Sequence, residues 1–242
     1  MKPCAFDKQE LLSHALGSVE MMEKMFDDNY FEVVSKRLNK AIEGLNVTKE
    51  DVKNLVTFLT AFHDLGKAAE LYQSQFDENC NALRKNTSFV FHELGGALFL
   101  WYNDWENQTL KVMSTLTVLN HLNAIRNFNT TRDKTSEVKN GHLKLKRYGE
   151  GLVDKLLRDK VSNPFMKTYN VKDYTLADLK NMFAGIANYA VRSPLKIKLY
   201  VLLLTPVIVG DNMDSTTSRE KDESYGSKSH FISSLLKEVE TP

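Results

Sequence analysis

Apolar positions in this chain recur at helical spacing along most of its length. Over residues 8 to 26, Leu11, Leu12, Ala15, Val19, Met22 and Met25 share one face, and His14 lies beside that stripe. Thr48 and Asp51 have the spacing of an N-cap pair ahead of Val52, Leu55, Val56, Leu59 and Phe62. Gly66 stands where a helix C-cap is expected, which places His63 and Asp64 in the last turn of that helix. A third helix from about Ser88 to Tyr102 carries His92, and Gly95 and Gly96 one turn later allow a neighbouring backbone to approach. A fourth, from about Thr109 to Arg126, carries His121. The same reading predicts helices over Leu152 to Lys160, Leu176 to Tyr189, Pro194 to Val209 and Ser229 to Glu240. No strand pattern of comparable length accompanies them, so the expected fold is all-α.

Two segments interrupt the periodicity. Arg126 to Gly149 holds Arg126, Arg132, Lys134, Lys139, Lys144, Lys146 and Arg147 against Asp133 and Glu137, and reads as a cationic loop. Asp214 to Lys228 is polar with mixed charge and reads as a mobile surface excursion before the last helix. Neither divides the chain, and 242 residues suffice for one domain over residues 1–242 with a sizeable core. A net charge of +1 announces no nucleic acid, so such a partner must be met by a local patch. Cys4 and Cys80 stand far apart outside any C-x-x-C pattern, which argues against a disulfide or thiolate zinc site and suits a reducing cytosol. The longest apolar run, Leu199 to Val209, is too short to span a bilayer and contains Pro206. Asp7 and Glu10 occupy the place where a signal peptide would need an apolar core, so the expected location is cytoplasmic.

The chemistry concentrates at Ala61-Phe62-His63-Asp64-Leu65-Gly66-Lys67. An adjacent imidazole and carboxylate offer a divalent cation two ligands, and the carboxylate can bridge to a second ion. A His-Asp pair alone is weak evidence, and a lone histidine on an apolar helix face is more often a hydrogen-bonded core residue than a ligand. Here His14, His92, His121 and Asp211 each lie on or beside a helical segment where Leu or Ala would ordinarily stand. His142 and His230 fall in or beside polar segments and read as solvated. Trp101, Tyr102 and Trp105 read as core and rim of the third helix rather than a base-stacking platform. The basic segment is equally a solvated surface or a nucleic-acid contact. Lys67 suits either capping of helix carbonyls or a phosphate oxygen beside a metal.

In order and spacing, Leu-Leu-Ser-His14-Ala-Leu, His63-Asp64-Leu65-Gly66-Lys67, Phe91-His92-Glu93, Leu119-Asn120-His121 and Gly210-Asp211-Asn212-Met213-Asp214-Ser215 resemble the HD nuclease domain of the type I CRISPR interference nuclease-helicases. The likeness covers nearly the whole chain and implies an HD-type helical bundle. The sequence holds no G-x-x-x-x-G-K-[ST] phosphate loop, so it resembles the stand-alone nuclease form, working with a helicase on a separate polypeptide and an RNA-guided surveillance complex. The family pattern implies that His14, His63, Asp64 and Asp211 hold one metal, and that His92 and His121, with Asp64 bridging, hold a second. Asp64 and Lys67 would be the catalytic pair; from its charge, the basic segment offers Arg126, Lys144, Lys146 and Arg147 as the nucleic-acid contacts. Leu122 stands where family members often have a second consecutive histidine, leaving a position that a water on Asn120 or Asn123 can fill. Asp214 is the alternative to Asp211 in a different helical register.

Imidazole and carboxylate ligands suit Mn, Fe, Co, Ni or Zn better than Mg, which can still act through open positions. Two ions about 3.5–4 Å apart support in-line hydrolysis of a phosphodiester. The resemblance implies single-stranded DNA as substrate, with single-stranded RNA a second. Two rivals remain: a phosphohydrolase acting on nucleotides or cyclic nucleotides, and a non-catalytic scaffold binding nucleic acid or helicase.

Overall fold

The fold begins with a hairpin, β1 (Cys4–Phe6) and antiparallel β2 (Gln9–Glu10), and continues through α1 (Leu11–Met25), α2 (Asp28–Ala41) and α3 (Lys49–Phe62). After a 3-10 turn at Leu65–Ala68 come α4 (Glu70–Gln73), α5 (His92–Tyr102), α6 (Gln108–Leu119), α7 (Phe128–Asp133), α8 (Lys146–Arg158), α9 (Leu176–Arg192), α10 (Pro194–Ile197) and α11 (Val201–Glu220). These elements come from a computed structural model that describes residues 2–122, 128–159 and 161–220. The expected helix at Ser229 to Glu240, Asn123, Arg126 and His230 lie outside the described residues.

Helix starts follow local chemistry. Thr48 and Asp51 form the capping box of α3, and Thr175 and Asp178 form that of α9. The carboxylate of Asp27 accepts the Tyr30 N–H and starts α2, a helix the sequence reading passed over although Phe31, Val34, Ser35 and Leu38 have the spacing of a buried face. Helix α1 packs against α11 and α3, and α5 against α6 and the 3-10 turn, around a core that includes Leu11, Met22, Phe58, Leu59, Phe62, Leu94 and Phe99. Trp101, Tyr102 and Trp105 pack at its margin as expected.

Several expectations change. Helix α11 continues through Asp211 and Asp214 to Glu220 instead of stopping at Val209, so the stretch from Asp214 to Glu220 is helical rather than a surface excursion. Gly210 is no helix stop: a Cβ there would lie 2.4 Å from the Ser18 carbonyl oxygen, so the glycine lets α11 cross α1. Helix α6 ends at Leu119, because Asn120 leaves helical geometry and turns its amide oxygen to the Phe128 N–H at 2.7 Å. That oxygen therefore closes a turn and is not held out for a ligand water. The cationic segment is mostly ordered into α7, two 3-10 turns and the start of α8. Within it His142 is buried between the rings of Tyr72 and Phe91, not solvated.

Cys4 and Cys80 form a disulfide, overturning the reading of two separate thiols; a separation of 76 residues in sequence says nothing of distance in space. The bond ties β1 to the 77–82 turn, where the Asp7 carboxylate also accepts the Ala82 N–H. Gln73 links the hairpin to the centre: its amide oxygen accepts the Cys4 N–H, and its Nε2 donates to the carbonyls of Cys4 and Lys67. Among the described residues, no single helix is long and apolar enough to cross a membrane.

The closest approach joins the 3-10 turn to α5. A Cβ on Gly95 would lie 2.5 Å from the Gly66 Cα, and one on Gly66 would lie 1.7 Å from the His92 carbonyl oxygen. Gly66 therefore serves close packing rather than capping α3. Gly95→Ala should lower stability by about 1–3 kcal/mol, because overpacking backbone against backbone outweighs the roughly 1 kcal/mol of helix propensity that alanine gains. Urea unfolding of the two proteins measures this, and an equal or higher midpoint would contradict the contact.

Candidate metal centre

Four histidines and two aspartates from five places in the chain converge beneath the amino-terminal hairpin. His63 follows the last turn of α3 and Asp64 begins the tight turn to Leu65–Ala68. His92 opens α5 immediately after Phe91, whose left-handed backbone (φ 74°) turns the chain into the helix. His121 lies just past the end of α6, while His14 and Asp211 project from within α1 and α11. All four imidazoles and Asp64 are buried.

The orientation of three rings repeats one local device. The Nδ1–H groups of His63, His92 and His121 donate to the carbonyls of Thr60, Phe89 and Val118, each three residues earlier and each at 2.6 Å. A carbonyl can only accept, so the proton sits on Nδ1 and the Nε2 lone pair points inward. The fourth ring, His14, directs Nδ1 at Asp214 Oδ2, 2.7 Å away, and so turns its Nε2 inward as well.

Ring nitrogens and carboxylate oxygens then crowd together. Nε2 of His92 and Nε2 of His121 are 3.1 Å apart. His14 Nε2 lies 3.0 Å from Asp64 Oδ2 and 3.4 Å from Asp211 Oδ1, and His63 Nε2 lies 3.5 Å from each of the same two oxygens. On the other side, Asp64 Oδ1 lies 2.8 Å from His92 Nε2 and 3.5 Å from His121 Nε2. His14 Nε2, His63 Nε2 and both Asp64 oxygens are buried without an aligned hydrogen bond, although the Lys67 ammonium is 2.6 Å from Asp64 Oδ2. Inward-facing acceptors of this kind are costly unless an electron-pair acceptor sits among them. The residues therefore fit divalent cations, in two sets: His14, His63, Asp64 and Asp211, and then Asp64, His92 and His121.

The charges agree with that fit. Burial alone would push the Asp64 carboxyl up, but the Lys67 ammonium and the adjacent His63, His92 and His121 outweigh it and hold the group well below the usual range. Burial likewise opposes ionisation of Asp211, and its two histidine neighbours overcome that and keep it ionised. For His14, burial disfavours the cation, yet the Asp211, Asp214 and Asp64 carboxylates around the ring prevail and raise it to about 10.

The sequence reading named His14, His63, Asp64, Lys67, His92, His121 and Asp211, and the fold brings all of them together. Lys67 is buried with its ammonium 3.9 Å from the Phe6 ring centroid and 5.1 Å from that of Phe89. Lys144, Lys146 and Arg147 are exposed at the start of α8 and belong to neither ligand set. Leu122 is half-buried beside His121. What the sequence reading missed is the orienting layer, since backbone carbonyls leave no mark in a sequence. Asp214 was visible, but only as a substitute for Asp211.

Because His14 holds its extra proton across neutral pH when no cation is present, an entering ion must displace it. Binding to the first set should tighten about tenfold per pH unit from pH 6 to 8 and release about one proton per ion. Calorimetry in buffers of different ionisation enthalpy measures that release; a heat independent of the buffer would contradict it.

Comparison with known proteins gives the same picture. The family described as "Cas3, HD domain" matches residues 5–142, a span that holds His14, the His-Asp turn, His92 and His121. A CRISPR-associated endonuclease Cas3-HD of Saccharolobus solfataricus is 39% identical over 251 aligned residues, covering 99% of this chain and 97% of that protein. In fold the chain is similar to the CRISPR-associated Cas3 HD domain protein from Methanocaldococcus jannaschii, with a TM-score of 0.57 and 20% identity over 86% of this chain and 99% of that one. The all-α HD-type bundle expected from the sequence is thus observed. With identity at this level running almost end to end, the chain belongs to the Cas3 HD domain family, as a CRISPR-associated nuclease of the HD type.

Proposed function

We propose that the whole chain is one HD nuclease domain that hydrolyses phosphodiester bonds of single-stranded DNA in CRISPR interference, with single-stranded RNA a second substrate. It would work in the cytoplasm beside a separate helicase and an RNA-guided complex. The single observation that carries this reading is Asp64, which turns one carboxylate oxygen toward each set of inward-facing histidine nitrogens.

His14, His63, Asp64 and Asp211 would hold one ion, and His92, His121 and Asp64 a second. The imidazole-rich set favours Mn, Fe, Co, Ni or Zn, with Mg admitted through open positions. When bound, such ions supply Lewis acidity to the phosphodiester and lower the pKa of the attacking water. Asp64 joins the two halves, so its position fixes the attacking and leaving sides relative to each other. Lys67 keeps its ammonium beside that carboxylate and over the Phe6 ring, where a remaining N–H can donate to a phosphate oxygen. Lys144, Lys146 and Arg147 lie on a segment that packs beside α4 and α5: the Lys144 carbonyl accepts the Glu70 N–H, and Leu145 packs on Gly95. These three exposed cations would suit the backbone of an approaching strand.

Incubating labelled single-stranded DNA, duplex, single-stranded RNA and nucleotides with the protein across a metal series tests the reading. Cleavage of the single strands with sparing of nucleotides is expected, and hydrolysis of nucleotides alone would move the chain to the phosphohydrolases. Asp64→Ala should reduce cleavage at least a thousandfold, as loss of the one shared group should, with circular dichroism unchanged. Substantial metal-dependent cleavage by that variant would contradict the shared role. Neutralising Lys144, Lys146 and Arg147 should weaken strand binding and flatten its salt dependence, and an unaltered slope would make them ordinary surface charges.

A further inference from the structure

His14 differs from the other site histidines in what holds it. His63, His92 and His121 stand at helix ends, where the carbonyl three residues back can take the Nδ1–H. His14 lies inside α1, where backbone carbonyls serve the helix itself, so an acceptor has to come from another element. It comes from α11. Asp211 and Asp214, three residues apart on one helix face, straddle the ring, with Asp211 Oδ1 3.4 Å from Nε2 and Asp214 Oδ2 2.7 Å from Nδ1.

The space around Asp214 is shaped to keep it there. A Cβ on Gly17, one turn beyond His14 in α1, would lie 2.1 Å from Asp214 Oδ1, so the carboxylate fills the volume that a side chain at position 17 would occupy. Gln9 Nε2 donates to the other oxygen at 3.4 Å. The contact thus spans the hairpin, α1 and α11.

We propose that Asp214 is a positioning residue for the first ligand set, acting through His14. Its carboxylate holds the proton on Nδ1, aims the Nε2 lone pair at the place between Asp64 and Asp211, and makes the imidazole a stronger donor by setting negative charge behind it. This role rests on the metal-binding reading of His14. It also settles the register of the Asp-x-x-Asp pair: Asp211 faces the ion, and Asp214 faces the ligand.

The test uses the metal-stripped full chain carrying His92→Ala, so that only the first set is intact, titrated with Mn2+ while unbound Mn2+ is counted by electron paramagnetic resonance. In that background Asp214→Asn keeps an oxygen but loses the charge, and should weaken Mn2+ binding about tenfold; Asp214→Ala removes the acceptor and should weaken it up to about a hundredfold. Gly17→Ala changes no ligand and improves helix propensity, yet should weaken binding by crowding the carboxylate. In the Zn2+-loaded protein, nitrogen NMR should show His14 protonated on Nδ1, and Asp214→Ala should alter that signal alone among the site histidines. Parent-like Mn2+ affinity in both Asp214→Asn and Gly17→Ala would make Asp214 a packing residue and overturn the proposal. If the His92→Ala parent took up no Mn2+, the metal reading itself would fail and this role with it, a result distinct from the first.

Discussion

One carboxylate organises this fold. Asp64 is buried among four imidazoles and an ammonium, and neither of its oxygens finds an aligned hydrogen bond. Removing an ionised carboxylate from water costs several kcal/mol unless its charge is answered on the spot. Lys67 answers part of it on the side of Oδ2. The remaining demand falls where histidine nitrogens converge on both oxygens, an arrangement that divalent cations fit. The surrounding architecture can be understood as the scaffold that this one group requires.

That scaffold works by close approach. The turn after Asp64 lies against α5 because Gly66 and Gly95 bring backbone onto backbone, and this brings His92 to Oδ1. Across the molecule, Gly210 lets α11 cross α1, which brings Asp211 to the other side of the same carboxylate's neighbours. The disulfide and Gln73 hold the hairpin so that Phe6 covers Lys67 and meets His14 in a T-shaped ring contact. Each device sits on a different element, yet each ends within one residue's reach of Asp64.

How much of this a sequence can show depends on the range of the interaction. Helices α1, α3 and α9 follow from apolar spacing, to which α3 and α9 add polar caps; both are local signals, and the helices are legible. So are the histidines and aspartates that the fold gathers into two sets, since buried helix faces rarely carry histidine without a reason. The end of α11 was not legible, because Gly210 looks like a helix stop until α1 is seen crossing it. The Cys4–Cys80 bond, the burial of His142 and the orienting role of Asp214 likewise depend on neighbours 76 or 200 residues away in sequence or on ring contacts between separate elements. Periodicity carries no information at that range. The carbonyls that orient His63, His92 and His121 are invisible for another reason, as every residue has one.

The centre can be examined most directly by anomalous diffraction from crystals of the full chain soaked in Mn2+. Two anomalous peaks are expected, one bounded by His14, His63, Asp64 and Asp211 and the other by Asp64, His92 and His121, with Asp64 touching both. Peaks elsewhere, or none at Asp64 with Mn2+ in excess, would contradict the assignment of this carboxylate as the shared ligand.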